Sequence, residues 1–539
     1  MVKGRESTPA AAMARAAAAI QDTTRQHGPQ SVAVAASARC SLETLAVIQA
    51  ACRQNGWMAS AGAATERQAA ALRTAVARLE PDLAVSLADI AGAADVLVIG
   101  ADPLSEAPML ALSLRQVVRG GGRVTVLDPR GVRLPFEFEH WAVHPHAAQD
   151  VLRALDRQLQ SHDAPGHAAG IAFPTADLAR RLNASPRPMV VCGTDTLASG
   201  DVALAADIAR SLHATHKTVG LFYLMQGPNA FAAALGDGAA VSAARLVEAI
   251  EAGTVRSLIA VESDLWQTFP DRKRLTGALA RLDHLVWLDY LDTDPVRTAS
   301  VFIPSMPLYE CGGHWINQEG RLQAAAPVLA GGDPITVTGG GDHPPRIFED
   351  RIPGGIPLPA WQALAALSAA EDVRQDAEAV LRSALARFHP AVGLPLDEAA
   401  GRRIDLAASM AADPTPPTAD TAPGPSSEAA ILLLMVERTF GTEPLSALAP
   451  ALMAREDAPL ARVHPETLAA LDAAGGETVV ITVNGESLTL AVTADATMAP
   501  GVFEIPRHHR LAWQVAGETR VWVTASDIET LTSVGKNEP

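Results

Sequence analysis

With 539 residues, 48% of them hydrophobic and 19% charged, the chain has material for several globular domains and a large core. A formal net charge of −17 lacks the basic footprint that nucleic acid requires and leaves an acidic surface suited to solubility or to docking on other proteins. The four cysteines (Cys40, Cys52, Cys192 and Cys311) are dispersed and form no CxxC pair, so they suit buried thiols in a reducing compartment better than an iron–sulfur cluster, a structural zinc or a disulfide framework.

The N-terminal stretch is Ala-rich but carries Glu6, Arg15 and Asp22, which breaks any signal-peptide core. Residues 10–28 read as a helix stopped by Gly28-Pro29, followed by a buried strand over 31–35. Ser41 is a suitable N-cap for a helix over 41–55. Residues 95–100 form an apolar strand ending in glycine, with a helix over about 107–119, the turn Gly120-Gly121-Gly122 and a strand over 124–127 closed by Asp128-Pro129-Arg130. This is a β-α-β unit, which implies a parallel sheet covered on both faces. The alternation continues with strands over 188–193, 219–225, 257–261 and 284–288, and helices over 200–213, 242–252 and about 272–281.

Residues 329–358 are rich in Gly and Pro and hold no clear element, and 359–388 read as helical. The stretch 411–428 is too rich in Pro, Thr and Ala to bury an apolar face and is expected to be a flexible linker. Beyond it, Ile431–Val436 is the longest apolar run, far short of the roughly 20 residues of a membrane span. Runs over 478–483 and 487–493 flank Asn484-Gly485, a hairpin signal, and 501–505 and 519–524 add strands. The predicted architecture is α/β: two doubly wound, Rossmann-like domains over 1–165 and 166–328, a connecting helical segment over 329–410, the linker, and a small C-terminal barrel-like β domain over 429–539.

Ligands of open α/β sheets bind beyond the carboxyl ends of the strands. Three segments fall there: Gly100-Ala101-Asp102-Pro103, Asp128-Pro129-Arg130 and Glu262-Ser263-Asp264. A helix N-terminus after Asp102 can hold an anion, Arg130 can fork onto a phosphate, and Asp128 can accept from a purine or sugar. The same residue types also serve as plain turn residues. The densest polar segment, Glu310 to Arg321, holds Asn317, Glu319 and Arg321, and suits either a site lining or a buried network at a domain junction. His508 and His509 sit among arginines, which suits a surface or partner contact. Neither HExxH, GxSxG nor a Walker A sequence is present.

The run ADVLVIGADPLSEAPMLALSLRQVVRGGGRVTVLDPR and the segment VESDLWQTFPDR followed by HLVWLDYLDTDPVRTASVFIPSMPLYECGGHWINQEGRLQ resemble the molybdopterin oxidoreductase superfamily. Within it the sequence is most similar to the large G subunit of NADH-quinone oxidoreductase, and the segment from Ala461 to Val502 is similar to the family's dinucleotide-binding barrel. The resemblance implies a pterin dinucleotide site formed by Gly100, Asp102, Asp128, Arg130, Glu262, Asn317, Glu319 and Arg321. The departures imply that it is degenerate. Where active members place a metal ligand, residues 56–85 offer no Cys or His, only Ser60 and Asp82 as formal candidates. A phosphate-binding Gly-Thr-Asp is replaced by His144-Pro145-His146-Ala147, and bulky His314 and Trp315 stand where small residues are expected.

The resemblance also sets the start of the chain at the helix that follows the iron–sulfur domains of the G subunit. The expectation is therefore a chain without metal, cluster or bound molybdopterin guanine dinucleotide. It would be a structural or assembly subunit of a complex I-type oxidoreductase, cytoplasmic and held peripherally at the membrane through its complex. Iron–sulfur clusters would lie in a partner subunit, and Asp128, Arg130, Glu310, Asn317, Glu319 and Arg321 would act as buried cross-links. The alternatives are an active, formate dehydrogenase-like subunit that binds molybdopterin guanine dinucleotide, and a scaffold in an unrelated complex.

Overall fold

A computed structural model describes residues 2–328, 357–406 and 430–531, apart from short stretches within them. The longest of these stretches are 162–171, 369–376, 393–400, 437–444 and 512–519. The segments 329–356 and 411–428 and the pair His508-His509, on which the sequence carries expectations, lie outside the described residues.

The chain opens with helix α1 (Pro9–His27), capped by Thr8 and closed by Gly28 at φ +86°, then strand β1 (Val32–Ala36). Helix α2 (Leu42–Asn55) starts at the Ser41 cap and ends on Gly56 in the left-handed region. Strand β2 (Met58–Ser60) and helix α3 (Glu66–Arg78) follow. Next come β3 (Asp95–Ile99), β4 (Arg123–Leu127), β5 (Glu139–Trp141), β6 (Pro188–Gly193) and β7 (Gly220–Leu224). Then come β8 (Ser257–Val261), β9 (His284–Asp289) and β10 (Val301–Pro304), and a hairpin of β11 (Gly313–Ile316) and β12 (Leu322–Ala325).

Two all-parallel sheets result, of order β10-β9-β8-β1-β2 and β5-β4-β3-β6-β7. Counted along each sheet's own strands, these are the two common doubly wound orders, 2-1-3-4-5 and 3-2-1-4-5. The sheets interleave in sequence. The first takes its strands from 32–60 and again from 257–304, and the second is inserted between them. The boundary expected at residues 165 and 166 therefore falls between β5 and β6, inside the second sheet. Sequential strands usually pair with one another, and that regularity fails here because β1 pairs with β8.

Every strand of the two sheets' centres is buried on both faces. Val32, Val34 and Ala36 of β1 join Leu97 and Ile99 of β3 in one core shared with α2, α3 and helix Ser199–His213. Ala33 and Ala35 face a second core on the outer side of the first sheet, and Val96 and Val98 face a third on the outer side of the second. This two-sided burial explains the uninterrupted apolar strands of the sequence.

After residue 430 strands predominate, alternating buried and more exposed in Thr478–Val483 and buried on both faces in Ala430–Val436. Strands β13 (Ala430–Val436), β14 (Leu460–Val463), β15 (Thr478–Val483), β16 (Glu486–Ala494), β17 (Val502–Pro506), β18 (Arg520–Thr524) and β19 (Ile528–Leu531) form a mixed sheet, β18-β13-β17-β14-β16-β15-β19. β15 and β16 pair antiparallel in register from Val483–Glu486 outward; Asn484 and Gly485 lie outside the described residues. The sheet is curled but open, with β18 and β19 as its edges. In β13, Ile431, Leu433 and Met435 face the interior of this curl. Leu432, Leu434 and Val436 face a smaller cluster that includes Ala142 and Trp522. No helix among the described residues is long and apolar enough to cross a membrane.

Candidate functional site

In the second sheet the order of the strands reverses between β3 and β6, and the residues leaving these strands are Gly100 and Thr194. Gly100 has φ +61°, and a side chain there would overlap Leu197. Asp102 is buried and caps the four-residue helix Pro103–Glu106, accepting from Leu104 N–H at 3.2 Å, Ser105 N–H at 3.4 Å and the Ser105 hydroxyl at 2.8 Å. The helix start expected to hold an anion is thus taken by the chain's own carboxylate.

Asp128 and Arg130 are 0% and 2% exposed. Arg130 forks not onto open space but onto Asp128, through Nε to Oδ1 at 2.8 Å and Nη2 to Oδ2 at 2.7 Å, and its Nη1 donates to Glu106. Burial alone would lower the Arg130 pKa, but Asp128 and Glu106 hold it well above the ordinary value. Burial pushes Glu106 up to about 7, because Arg130 only partly offsets it and the charges of Asp102 and Asp128 add to the cost.

A separate cluster occupies the first sheet's reversal, between β1 and β8. Arg39 makes a two-pronged pair with Asp289 at 3.2 and 2.7 Å, both side chains buried, and lies 5.0 Å from the Tyr290 ring centre. Glu262 is buried with φ +46°, a backbone conformation uncommon for a residue other than glycine. Its carbonyl accepts from the Ser37 hydroxyl. Burial and then Asp289 push its carboxyl up to about 8, with Arg39 and Cys40 opposing. Burial likewise raises the Cys40 thiol well above its usual range, and Glu262 adds to this. Asn229, fully buried after β7, donates to the Cys40 carbonyl at 2.9 Å and accepts from Ile316 N–H at 3.0 Å, joining loops of both sheets to the hairpin.

The remaining expected residues lie elsewhere. Asn317 folds its own loop, its Oδ1 accepting from the backbone N–H groups of Glu319 and Arg321 at 3.1 and 2.9 Å. Glu319 is clamped by Arg321 at 3.2 Å and by Arg403 at 2.8 Å. Burial opposes ionisation of Glu319, but these arginines and the Asn317 amide hold it below the usual range. Arg403 also reaches Asp89 at 3.9 Å, and Asp89 pairs with Arg187, just before β6. The loop is therefore tied to the amino-terminal edge of the second sheet, opposite Gly100 and Asp128. Glu310 sits on the short helix Leu308–Cys311. The polar partner of this region is instead Glu43, which accepts from His314 N–H at 3.2 Å and bonds His314 Nδ1 at 2.5 Å.

Arg39, Glu43, Glu106, Asn229 and Asp289 escaped sequence reasoning. Asp289 follows an apolar strand just as Asp128 does, so its position carried a signal; the pairing with Arg39 did not.

The carboxyl ends of the two sheets meet at a cavity of about 120 Å³. Ala38 and Gly62 follow β1 and β2, Thr194 and Asp195 follow β6, and Gln226 follows β7. Helix α3 adds Gln68, Ala69, Leu72 and Arg73, and helix Ala230–Leu235 adds Ala230, Ala233 and Ala234. The interval 56–85 thus supplies a cavity wall. Of its two formal ligand candidates, Ser60 is buried at the end of β2 and Asp82 is exposed. Among the described residues no group of three or more His, Cys, Asp or Glu is placed to hold a metal ion.

The profile of the molybdopterin oxidoreductases matches residues 8–331, which span both parallel sheets. The chain belongs to that family. Among curated relatives, the G subunit of NADH-quinone oxidoreductase from Shewanella oneidensis is 28% identical over 276 residues, 46% of this chain and 30% of that protein. Its counterpart from Pseudomonas fluorescens is 27% identical over 258 residues, 42% of this chain and 28% of that protein. The matched region thus spans less than a third of these relatives. Acetylene hydratase from Pelobacter acetylenicus has the same fold, with a TM-score of 0.55 over 93% of this chain and 82% of its own, at 14% identity.

Molybdopterin oxidoreductases imply a pterin cofactor, and a dinucleotide's phosphates need uncommitted donors. At the second sheet's reversal one guanidinium, Arg130, already faces two carboxylates, with Asp102 close by. At the first, Arg39 is spent on Asp289, with Glu262 beside them. The guanidinium of each cluster is already paired with a carboxylate, and at the second sheet Asp128 and Asp102 would also set like charge against a diphosphate in a low-dielectric setting. These residues do not fit such a group.

Proposed function

We propose that this molybdopterin oxidoreductase is a non-catalytic structural subunit of a complex I-type NADH-quinone oxidoreductase, corresponding to the molybdopterin-like region of the G subunit. The observation that carries this reading is the internal neutralisation of Arg130 by Asp128 and Glu106, at the place where the fold would otherwise offer donors to a ligand. Similarity to the G subunit over 46% of the chain supports the choice of complex. In this role the chain contributes shape and buried polar cross-links, and partner subunits carry the iron–sulfur clusters and the redox chemistry. Its place is then the cytoplasmic, peripheral arm, attached to the membrane through the complex.

The test is metal and pterin analysis of the intact complex, captured through a tag on this chain, with identification of the co-purifying subunits. The expected result is NADH-quinone oxidoreductase subunits, with molybdenum and tungsten far below one per chain. Near-stoichiometric molybdenum or tungsten, or pterin fluorescence after acid oxidation, would overturn it. That outcome would favour a second reading, an active pterin-dependent subunit, which the cavity at the meeting of the strand ends supports. Co-purification with an unrelated set of proteins would favour a scaffold elsewhere.

A further inference from the structure

Helix Pro108–Arg119 covers the outer face of the second sheet, where Leu110, Leu114 and Val117 join the core beneath it. Its opposite side carries large apolar groups in solvent: Met109 is 62% exposed and Leu112 45%. Helical spacing sets Met109, Leu112, Gln116 and Arg119 in one stripe about 15 Å long, with Arg115 beside it. Gly120 caps the helix, and Arg123 opens β4 just beyond the turn.

The charge of this stretch departs from that of the chain. The whole carries −17, yet residues 107–127 hold three arginines and no Asp or Glu. Arg115, Arg119 and Arg123 are all exposed, and none has a hydrogen bond or ion pair to its side chain among the described residues. Arg119 alone has a local reason for its charge, because the last turn of a helix favours a cation. Exposed apolar side chains joined to unpaired guanidinium groups have the composition of a protein interface, in which Met and Arg are enriched.

We propose that this stripe is a docking surface for an acidic amphipathic segment of a partner subunit. Apolar side chains of that segment lie on Met109 and Leu112, and its carboxylates meet Arg115, Arg119 and Arg123. A guanidinium holds a carboxylate through two parallel hydrogen bonds, so the arginines fix the register while the apolar end is removed from water. A second copy of this chain, or an anionic lipid surface, would bring like charge against a body of −17 before three arginines could engage it. The inference rests on the chain's role as a subunit and not on the identity of the complex.

The test is photo-crosslinking in the intact complex, captured through a tag on this chain that carries Leu112→benzoylphenylalanine. The expected product joins this chain to one peptide of a co-purifying subunit, with Asp or Glu within about two helical turns of the joined residue. Arg115→Glu combined with Arg119→Glu should lower the yield per captured chain at least about tenfold. The same pair of changes should leave the Tm of the isolated chain within a few degrees of wild type, since neither side chain has a partner to lose. Met109→Ser should lower the yield with the arginines intact. The inference is overturned by the absence of a product, by a product with a second copy or with lipid, by a joined peptide lacking carboxylates, or by an undiminished yield in the charge-reversed chain. Capture of NADH-quinone oxidoreductase subunits without the product would leave the structural-subunit reading standing, whereas a chain that captures no subunit overturns both.

Discussion

A carboxyl group shut away from water gains little from ionising unless a cation is free to meet it, and Glu262 has no such cation because Arg39 is committed to Asp289. Its pKa in the fold, about 8, lies above the ordinary 4.5, so the protonated form is favoured by folding. The contribution is complete below pH 4.5 and is lost as pH rises through about 8. Glu262→Gln fixes the neutral state. Thermal melts should coincide for the variant and wild type at pH 5, and the variant should be the more stable at pH 9. A variant less stable at pH 9 would show that Arg39 holds Glu262 ionised. Arg130 gives the opposite case. Arg130→Ala leaves Asp128 and Glu106 buried with no cation, at a cost of about 3–5 kcal/mol in chemical denaturation at pH 8. The loss should shrink toward pH 5 as Glu106 takes up its proton; a pH-independent loss would place the damage in packing instead.

Among elements, the hairpin loop is the strongest motif of the sequence and the one whose geometry most changes its meaning. Arg321 and Glu319, two residues apart, pair as the sequence suggests, but the second clamp, Arg403, lies 84 positions away from Glu319. Arg321 is also about a third exposed. Arg321→Ala should therefore cost only about 1 kcal/mol, since Arg403 still neutralises Glu319. The double change with Arg403→Ala should cost clearly more than the sum of the two single changes, measured by urea unfolding; additivity would mean that the arginines do not share the carboxylate.

Legibility at this scale followed side-chain size. Strands β3, β6, β8 and β9 were readable because large apolar residues stand on both faces, and β1 and β4 because Val32 and Val34, and Val124 and Val126, mark one face. Strand β2 has three residues at a sheet edge, and α3 buries Ala69, Ala71 and Ala75, residues too small to mark a face. Helix Pro145–Gln160 did carry a period, with Ala148, Val151, Leu152, Leu155 and Leu159 buried, but its start reads equally well as a displaced phosphate loop.

At the scale of the molecule, what the sequence could not convey was proximity: Arg39 meets Asp289 across 250 positions, and the curled C-terminal sheet meets the loop after β4 across more than 300. That second junction is polar and specific. Asp495 is buried and bonds Arg133 at 3.1 Å and Arg462 at 3.4 Å, and Arg462 also donates to the Gly131 carbonyl at 2.8 Å and pairs with Glu504. Burial works against its charge, but Thr497, Arg462 and Arg133 hold Asp495 below the usual range. Ala499 N–H donates to the Pro129 carbonyl at 2.9 Å, and Trp522 stacks on His146 at 4.4 Å. So many joined groups make the C-terminal sheet a docked part of the body rather than a tethered one. If a specific protease site is placed within 411–428 and cut, the two pieces should still co-elute in size exclusion at micromolar concentration. Asp495→Asn takes the charged partner from Arg133 and from one side of Arg462, at a cost of about 2–5 kcal/mol. That corresponds to at least about a thirtyfold weaker association, so the cut variant should separate under conditions in which the cut wild type stays whole. Separation of the wild-type pieces would show that the connecting segment, not this junction, holds the C-terminal sheet in place.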